Sequence, residues 1–314
     1  MGKYSSNLPQ LEDKLFLADG GLETDLIFHS GMDLPQFASF VLLESPEGLE
    51  TLINYFTPYA DLAQAQGVGF LLDSPTWRSN PDWAQLMGYS TEELDQINQD
   101  AVQQLVCLRD AYDSPASPFV LNGVFGPRGD GYIADKVMTS EEAQAYHSPQ
   151  MASFAKTDVD MVSAITMTHA EEAVGITQAA QAAGLPVAIS FTVETDSRLP
   201  SGQPLKDAIE QVDSETDSGP AYFMLNCAHP THFDRSFDHK GNWLGRIQGL
   251  RANASAMSHA ELDEAEELDD GNPVELGGQY RELMAILPNL NVLGGCCGTD
   301  KRHIEAILNA CRDI

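Results

Sequence analysis

Eight short apolar runs recur along this chain, and nearly every one is followed by a stretch of helical period before the next begins. The runs are Leu15–Asp19, Val68–Leu72, Phe119–Val124, Val159–Ile165, Val187–Phe191, Tyr222–Leu225, Arg246–Arg251 and Asn291–Leu293. Between them lie Glu47–Gln66, Asp82–Met87, Thr91–Tyr112, Ser140–Thr157, Ala170–Ala183, Leu205–Val212, Val274–Leu287 and Asp300–Cys311, all with helical spacing. Strands separated by helices cannot pair as hairpins, so the crossovers force neighbours to run parallel. A parallel sheet is covered on both faces, which suits runs that are apolar throughout. Eight such units in 314 residues predict an α/β fold of the (β/α)8 TIM-barrel class, one domain spanning 1–314. A doubly wound open sheet is the competing arrangement. It would want a GxGxxG or Walker pattern after the first strand, and neither is there. Pro149 is expected to break or kink its helix, and His229–Phe237 to form a short one.

Charge narrows the function classes. With 17 basic residues against 47 acidic ones the net charge is −30, a surface that repels phosphate backbones and anionic membranes. No nucleic-acid partner and no membrane partner is expected. No apolar run approaches the roughly 20 residues of a membrane span, and the first residues carry no apolar signal core, so a cytoplasmic location is predicted. Met1-Gly2 with Ser6 fits a loose myristoylation pattern, but no basic segment follows to supply a second anchor. Five cysteines, an odd and small number, suit a reducing compartment better than a disulfide scaffold. Cys107 and Cys311 fall within helical stretches and are expected to be small, at least half-buried hydrophobes.

A barrel of this class gathers its chemistry at the C-terminal ends of its strands. In order, those ends carry Asp19-Gly20-Gly21 with Glu23, then Asp73–Arg78, Gly126-Pro127-Arg128, Thr166–His169, Thr192–Thr195, Asn226-Cys227 and Gly295-Cys296-Cys297. Strand six thus offers one thiol and strand eight two. Three thiolates converging on one ion would select zinc and leave a fourth tetrahedral position open, the arrangement of a catalytic site. Other readings remain open on spacing alone. Cys227 fits a core residue, and Cys296-Cys297 fits a vicinal disulfide or two inert thiols. His229 and His232 would suit nitrogen ligands or the start of a surface helix. Thr299 is a good N-cap for the last helix, and a helix N-terminus facing the thiols would lower their pKa. The acidic run Ala260–Asp270 reads as a solvated face or as a lid over the barrel mouth.

These residues resemble the homocysteine S-methyltransferase family, and the resemblance spans nearly the whole chain. Gly294-Gly295-Cys296-Cys297-Gly298-Thr299 is similar to that family's GGCCGT, and Asn226-Cys227 to its strand-six Asn-Cys. Asp19-Gly20-Gly21-x-Glu23-Thr24 is similar to its opening motif, Thr76-Trp77-Arg78 to the segment after strand two, and Ser190-Phe191-Thr192 with Ser201-Gly202 to strand five and its loop. The resemblance implies Zn2+ held by Cys227, Cys296 and Cys297, and a small-molecule thiol acceptor whose sulfur takes the open position. It also implies a small sulfonium or ammonium methyl donor, S-methylmethionine or S-adenosylmethionine being favoured, and homocysteine converted to methionine. Gly20 and Gly21 amides with Asp19 are implied to grip the acceptor's amino-acid end, and Asn226 to fill the metal's fourth position when substrate is absent. Glu23 and Thr76 complete the implied substrate side. One position departs: Ile165 stands where the family carries a Glu for the acceptor's α-amino group. An isoleucine cannot pair an ammonium, so Glu194 or Asp73 would have to substitute, or the acceptor is another thiol or selenol. A zinc- or thiol-binding protein without methyl transfer is the alternative from a different class. No cobalamin or folate module lies within these residues, which points to a soluble donor or a separate donor protein.

Overall fold

The computed structural model describes residues 2–12, 14–233, 237 and 241–313. The predicted (β/α)8 barrel is the observed one. Its strands are β1 Phe16–Leu17, β2 Gly69–Asp73, β3 Phe119–Phe125, β4 Met161–Met167, β5 Val187–Phe191, β6 Tyr222–Asn226, β7 Ile247–Ala252 and β8 Val292–Gly295, closed in sequence order with every pair parallel. β8 returns to β1 through Phe16↔Val292 and Leu17↔Leu293. The helices are α1 Leu22–Thr24, α2 Pro46–Gln66, α3 Pro81–Leu86, α4 Thr91–Tyr112, α5 Ser140–Phe154, α6 Ala170–Ala183, α7 Leu205–Glu215, α8 His259–Asp263, α9 Pro273–Met284 and α10 Lys301–Cys311.

Strand alternation sorts the barrel interior into layers. The lower layer is apolar: Phe16, Leu71, Val120, Met161, Ala188, Tyr222 and Val292 pack together. Leu8 from the N-terminal segment joins them and closes the bottom of the barrel, and Asn291 Nδ2 donates to Gln10 O at 2.9 Å to hold that segment in place. One step up the same inward faces turn polar. Asn122 Nδ2 donates to Asp73 at 2.7 Å and to Ser163 at 2.6 Å, Ser190 donates to Asn226 Oδ1 at 2.6 Å, and Arg251 pairs with Asp73 and Asp19. This polar layer is the floor of the site. Burying it is tolerable because nearly every member finds a partner within the barrel.

Four local expectations are revised. α5 runs unbroken through Pro149. Proline removes one backbone bond, but a capping box at Thr139 and Glu142, the hydroxyl of Ser153 on the Pro149 carbonyl at 3.1 Å, and packing along α6 keep the helix together. The N-cap of α10 is Asp300, not Thr299, whose hydroxyl donates instead to the Cys296 carbonyl at 2.7 Å. His229 and His232 are buried, His229 capping and His232 ending a short 3-10 turn, Pro230–His232, and are not exposed at a helix start; the rest of the expected His229–Phe237 helix lies largely outside the described residues. Cys107 is exposed on the outer face of α4, whereas Cys311 is buried as expected.

Candidate active site at the barrel mouth

The last strand ends in Gly294-Gly295-Cys296-Cys297 because glycine is needed on both sides of the turn. A Cβ on Gly295 would overlap the Thr299 side chain, and Gly298 adopts φ +78°. The turn carries Cys296 and Cys297 across the mouth from Cys227, which follows β6 at φ 53°, a strained setting for a non-glycine residue. The three Sγ atoms lie within 4.8 Å of one another, and among the described residues they form the one cluster suited to a metal ion. An ion bound by thiolates at the usual ~2.3 Å fits such a spacing. The vicinal Cys296–Cys297 bridge left open by the sequence is not formed. A disulfide joins Cys227 to Cys296 instead, and Cys297 is free.

Thr166 and Asn226 brace this cluster. β4 bulges between Ala164 and Met167, and Thr166 there takes φ 67°. Its amide donates to Asn226 Oδ1 at 2.9 Å, and Asn226 Nδ2 donates to its hydroxyl at 2.7 Å. Asn226 is fully buried beneath the thiols, with Nδ2 4.0 Å from Cys296 Sγ. Cys227 is held from the far side, where His259 Nε2 donates to its carbonyl at 2.7 Å and Glu194 meets His259 Nδ1 at 2.8 Å. Tyr132 stacks on His259 with ring centres 4.1 Å apart and brings its hydroxyl to 3.4 Å from Cys297 Sγ. Burial pushes the Cys297 thiol up, with the Tyr132 hydroxyl opposing, so the lowered thiol pKa expected from a helix terminus is not found. The positive end of α10 is occupied by the carboxylate of Asp300.

A cavity of about 480 Å³ opens above the polar floor. Asp19, Gly20, Gly21, Glu23, Cys227, Cys296 and Cys297 all line it, as does Ile165. Thr76, Glu194 and Asn226 do not; each sits one layer back. Thr76 donates to the Val124 carbonyl at 2.8 Å, and Glu194 is spent on His259. Glu194 therefore does not replace the missing acid at position 165. Asp73 lines the cavity but is committed to Arg251 and Asn122. The Gly21 amide donates to the Thr299 carbonyl at 3.0 Å, which takes it away from a ligand carboxylate. Burial pushes the Asp19 carboxyl up to about 7 against the pull of Arg251, and raises Glu23, whose Oε1 accepts from the Ser39 hydroxyl at 2.7 Å.

Arg251, Tyr132 and His259 are site residues that sequence reasoning missed. Arg251 left a signal, a cation near the end of a buried strand; Tyr132 in a loop and His259 at the start of the five-residue α8 left none. The acidic run does reach the site: Leu262, Asp263, Ala265, Glu267, Leu268 and Asp269 form one wall of the cavity. Among the described residues no helix is long and apolar enough to cross a membrane.

The family model described as Homocysteine S-methyltransferase matches residues 16–311. Betaine–homocysteine S-methyltransferase 1 of Rattus norvegicus is 27% identical over 193 residues, which is 56% of this chain and 45% of the rat protein, so the match spans less than half of that relative. Among solved structures, the homocysteine methyltransferase MmuM from Escherichia coli is similar in its oxidized form (TM-score 0.73, covering 96% of this chain and 97% of that one) and its metallated form (TM-score 0.71, 94% and 96%). Both are 18% identical, a likeness of fold.

Proposed function

This chain belongs to the homocysteine S-methyltransferase family, and from that membership we propose that it is a zinc-dependent thiol methyltransferase, one domain over 1–314, that methylates homocysteine to methionine. The observation that carries the reading is the cluster of Cys227, Cys296 and Cys297 at the mouth of a cavity of substrate size. The donor set fits the metal: three sulfurs and no hard oxygen ligand favour zinc over magnesium or calcium. Bound there, zinc would hold an acceptor thiol as thiolate at neutral pH, where a free thiol of pKa near 8.5 is mostly protonated.

The chain's own residues supply the rest. Asn226 and Thr166 fix the strand ends that carry the ligands, and the Glu194–His259 pair fixes the carbonyl of Cys227. Tyr132 offers a hydroxyl to Cys297, which steadies a thiolate there. Asp19, Gly20, Gly21 and Glu23 form the acceptor side of the cavity, and Thr76 supports it from behind. The wall built from Asp263, Glu267 and Asp269 favours a cationic methyl donor, which suits a sulfonium or quaternary ammonium compound such as S-methylmethionine. The Cys227–Cys296 disulfide must be reduced before three thiolates are available.

Reduced protein loaded with zinc should carry close to one ion per chain by elemental analysis, and Cys227→Ser, Cys296→Ser and Cys297→Ser should each lose most of it together with methyl transfer. Full zinc retention in all three variants rejects the reading. Ile165 on the cavity wall favours a second one, the same chemistry on another thiol or selenol. Homocysteine turning over far better than other acceptors rejects that second reading.

A further inference from the structure

Two arginines line the cavity, and they are in opposite states. Arg251 is neutralised by Asp19 and Asp73. Arg78 is 7% exposed, and among the described residues no carboxylate lies within ion-pair distance of it. Among the described residues its one protein hydrogen bond is from Nη1 to the Gly129 carbonyl at 3.2 Å, and its Nε is buried with no partner there. The guanidinium is clamped between the rings of Trp77 and Trp83, 4.0 and 3.9 Å from their centres. Trp77 is itself tied down, its Nε1 donating to the Ile165 carbonyl at 3.1 Å. Glu23 and Asp130 are the acids that face Arg78, and Glu23 is turned to Ser39 instead. A buried cation with its flat faces covered and most of its edge donors unused is a built receptor for a planar anion.

We propose that Arg78 is the specificity-determining anchor of the acceptor, so that this cavity selects thiols carrying a carboxylate and reads the α-ammonium weakly. The inference rests on the thiol-methyltransferase reading and adds what the acceptor must present. Three observations agree. Trp77, next to Arg78, is bonded to Ile165, whose side chain cannot bind an ammonium, and the nearby acids already have partners, Glu23 in the Ser39 hydroxyl and Asp130 in the Tyr132 amide. The Gly21 amide, a competing carboxylate donor, is spent on Thr299. Arg78, Glu23 and the three cysteines line the same cavity, so the anchor and the thiol cluster face one enclosed space. A charge-assisted pair with a carboxylate is worth about 10- to 150-fold in affinity.

The test uses four thiols on the reduced, zinc-loaded protein without donor: homocysteine, 4-mercaptobutyrate (no amine), 3-aminopropane-1-thiol (no carboxylate) and propane-1-thiol. Binding is read by tryptophan fluorescence, to which Trp77 and Trp83 contribute, and by calorimetry; methyl transfer from S-methylmethionine is then measured separately. We expect 4-mercaptobutyrate to bind within about 10-fold of homocysteine, and both thiols lacking the carboxylate to bind about 10- to 150-fold more weakly. Arg78→Gln should abolish that preference and Arg78→Lys should keep part of it. An aminothiol that binds as well as the mercapto acid, or a preference that survives Arg78→Gln, overturns the proposal. The wild-type comparison decides it even where Arg78→Gln fails to fold. Carboxylate-selective binding without any methyl transfer would leave the anchor standing and reject the methyltransferase reading; methyl transfer without carboxylate preference would do the reverse.

Discussion

Arg251 shows how a single side chain can hold a barrel's polar floor together. Its guanidinium reaches across from β7 to Asp73 on β2 and Asp19 after β1, and donates to the Gly295 carbonyl at 3.1 Å. Removing one member of a buried ionic group leaves the others uncompensated, at about 3–5 kcal/mol. Arg251→Met should therefore lower stability by about that amount in urea denaturation, and Asp19→Asn with Asp73→Asn in the same chain should restore much of it. A single variant as stable as the parent would show that the floor does not depend on the ion pairs. At this scale the sequence was readable where chemistry marks itself. Adjacent cysteines between glycines come out on the cavity with Cys227, and Asp19 and Glu23 beside Gly20 and Gly21 line it too. Residues that act by orientation do not: nothing in the order of residues shows that Tyr132 stacks on His259, or that Glu194 turns outward to that histidine and leaves the cavity.

Elements were legible in kind because each strand run is apolar and each helix keeps one apolar stripe. Their ends were less so, since ends depend on which group satisfies the terminal backbone. α10 is the clearest case. Asp300 caps it by accepting from the Arg302 amide at 2.8 Å, with Arg302 and His303 as further partners, and these contacts hold its carboxyl well below the usual range. A carboxyl depressed in the folded state adds stability above its unfolded pKa of about 3.9, and that stability is lost as pH falls below it. Asp300→Ala should cost about 1 kcal/mol near neutral pH. Its deficit against the parent should shrink steadily as unfolding is repeated from pH 5 down to pH 2; a deficit unchanged by acid would mean that the cap acts without its charge. The same reasoning explains why Pro149 misled. A proline inside a helix is penalised by one lost bond, but α5 is bonded at its start by a capping box and packed along its length by α6, neither of which local spacing reveals.

Across the whole molecule the dominant quantity is a net charge of −30 on a closed barrel. The repeat of eight strand–helix units made the fold readable, because parallel closure is the arrangement that buries every run on both faces. The charge was equally readable, but its consequence depends on where the acids lie. Some line the cavity, as in the wall of Asp263, Glu267 and Asp269. Others stand exposed at helix C-terminal turns, where the macrodipole disfavours them: Glu215 ends α7 and Glu282 lies in the last turn of α9. Like charges at this density oppose the compact state, and salt relieves them as the screening length falls from about 10 Å at 0.1 M to about 3 Å at 1 M. Between 0.05 and 1 M NaCl the Tm should rise by about 1.5–3 °C, roughly 1–2 kcal/mol for a chain of this size. The rise should be steepest at the lower concentrations, because screening saturates while general solute exclusion keeps growing linearly. Replacing Glu50, Glu215 and Glu282 by Gln removes three exposed negative charges away from the cavity. The triple variant should melt higher than the parent at low salt and respond less to added NaCl. If the parent's Tm were flat or falling across that range, self-repulsion would not be limiting its stability.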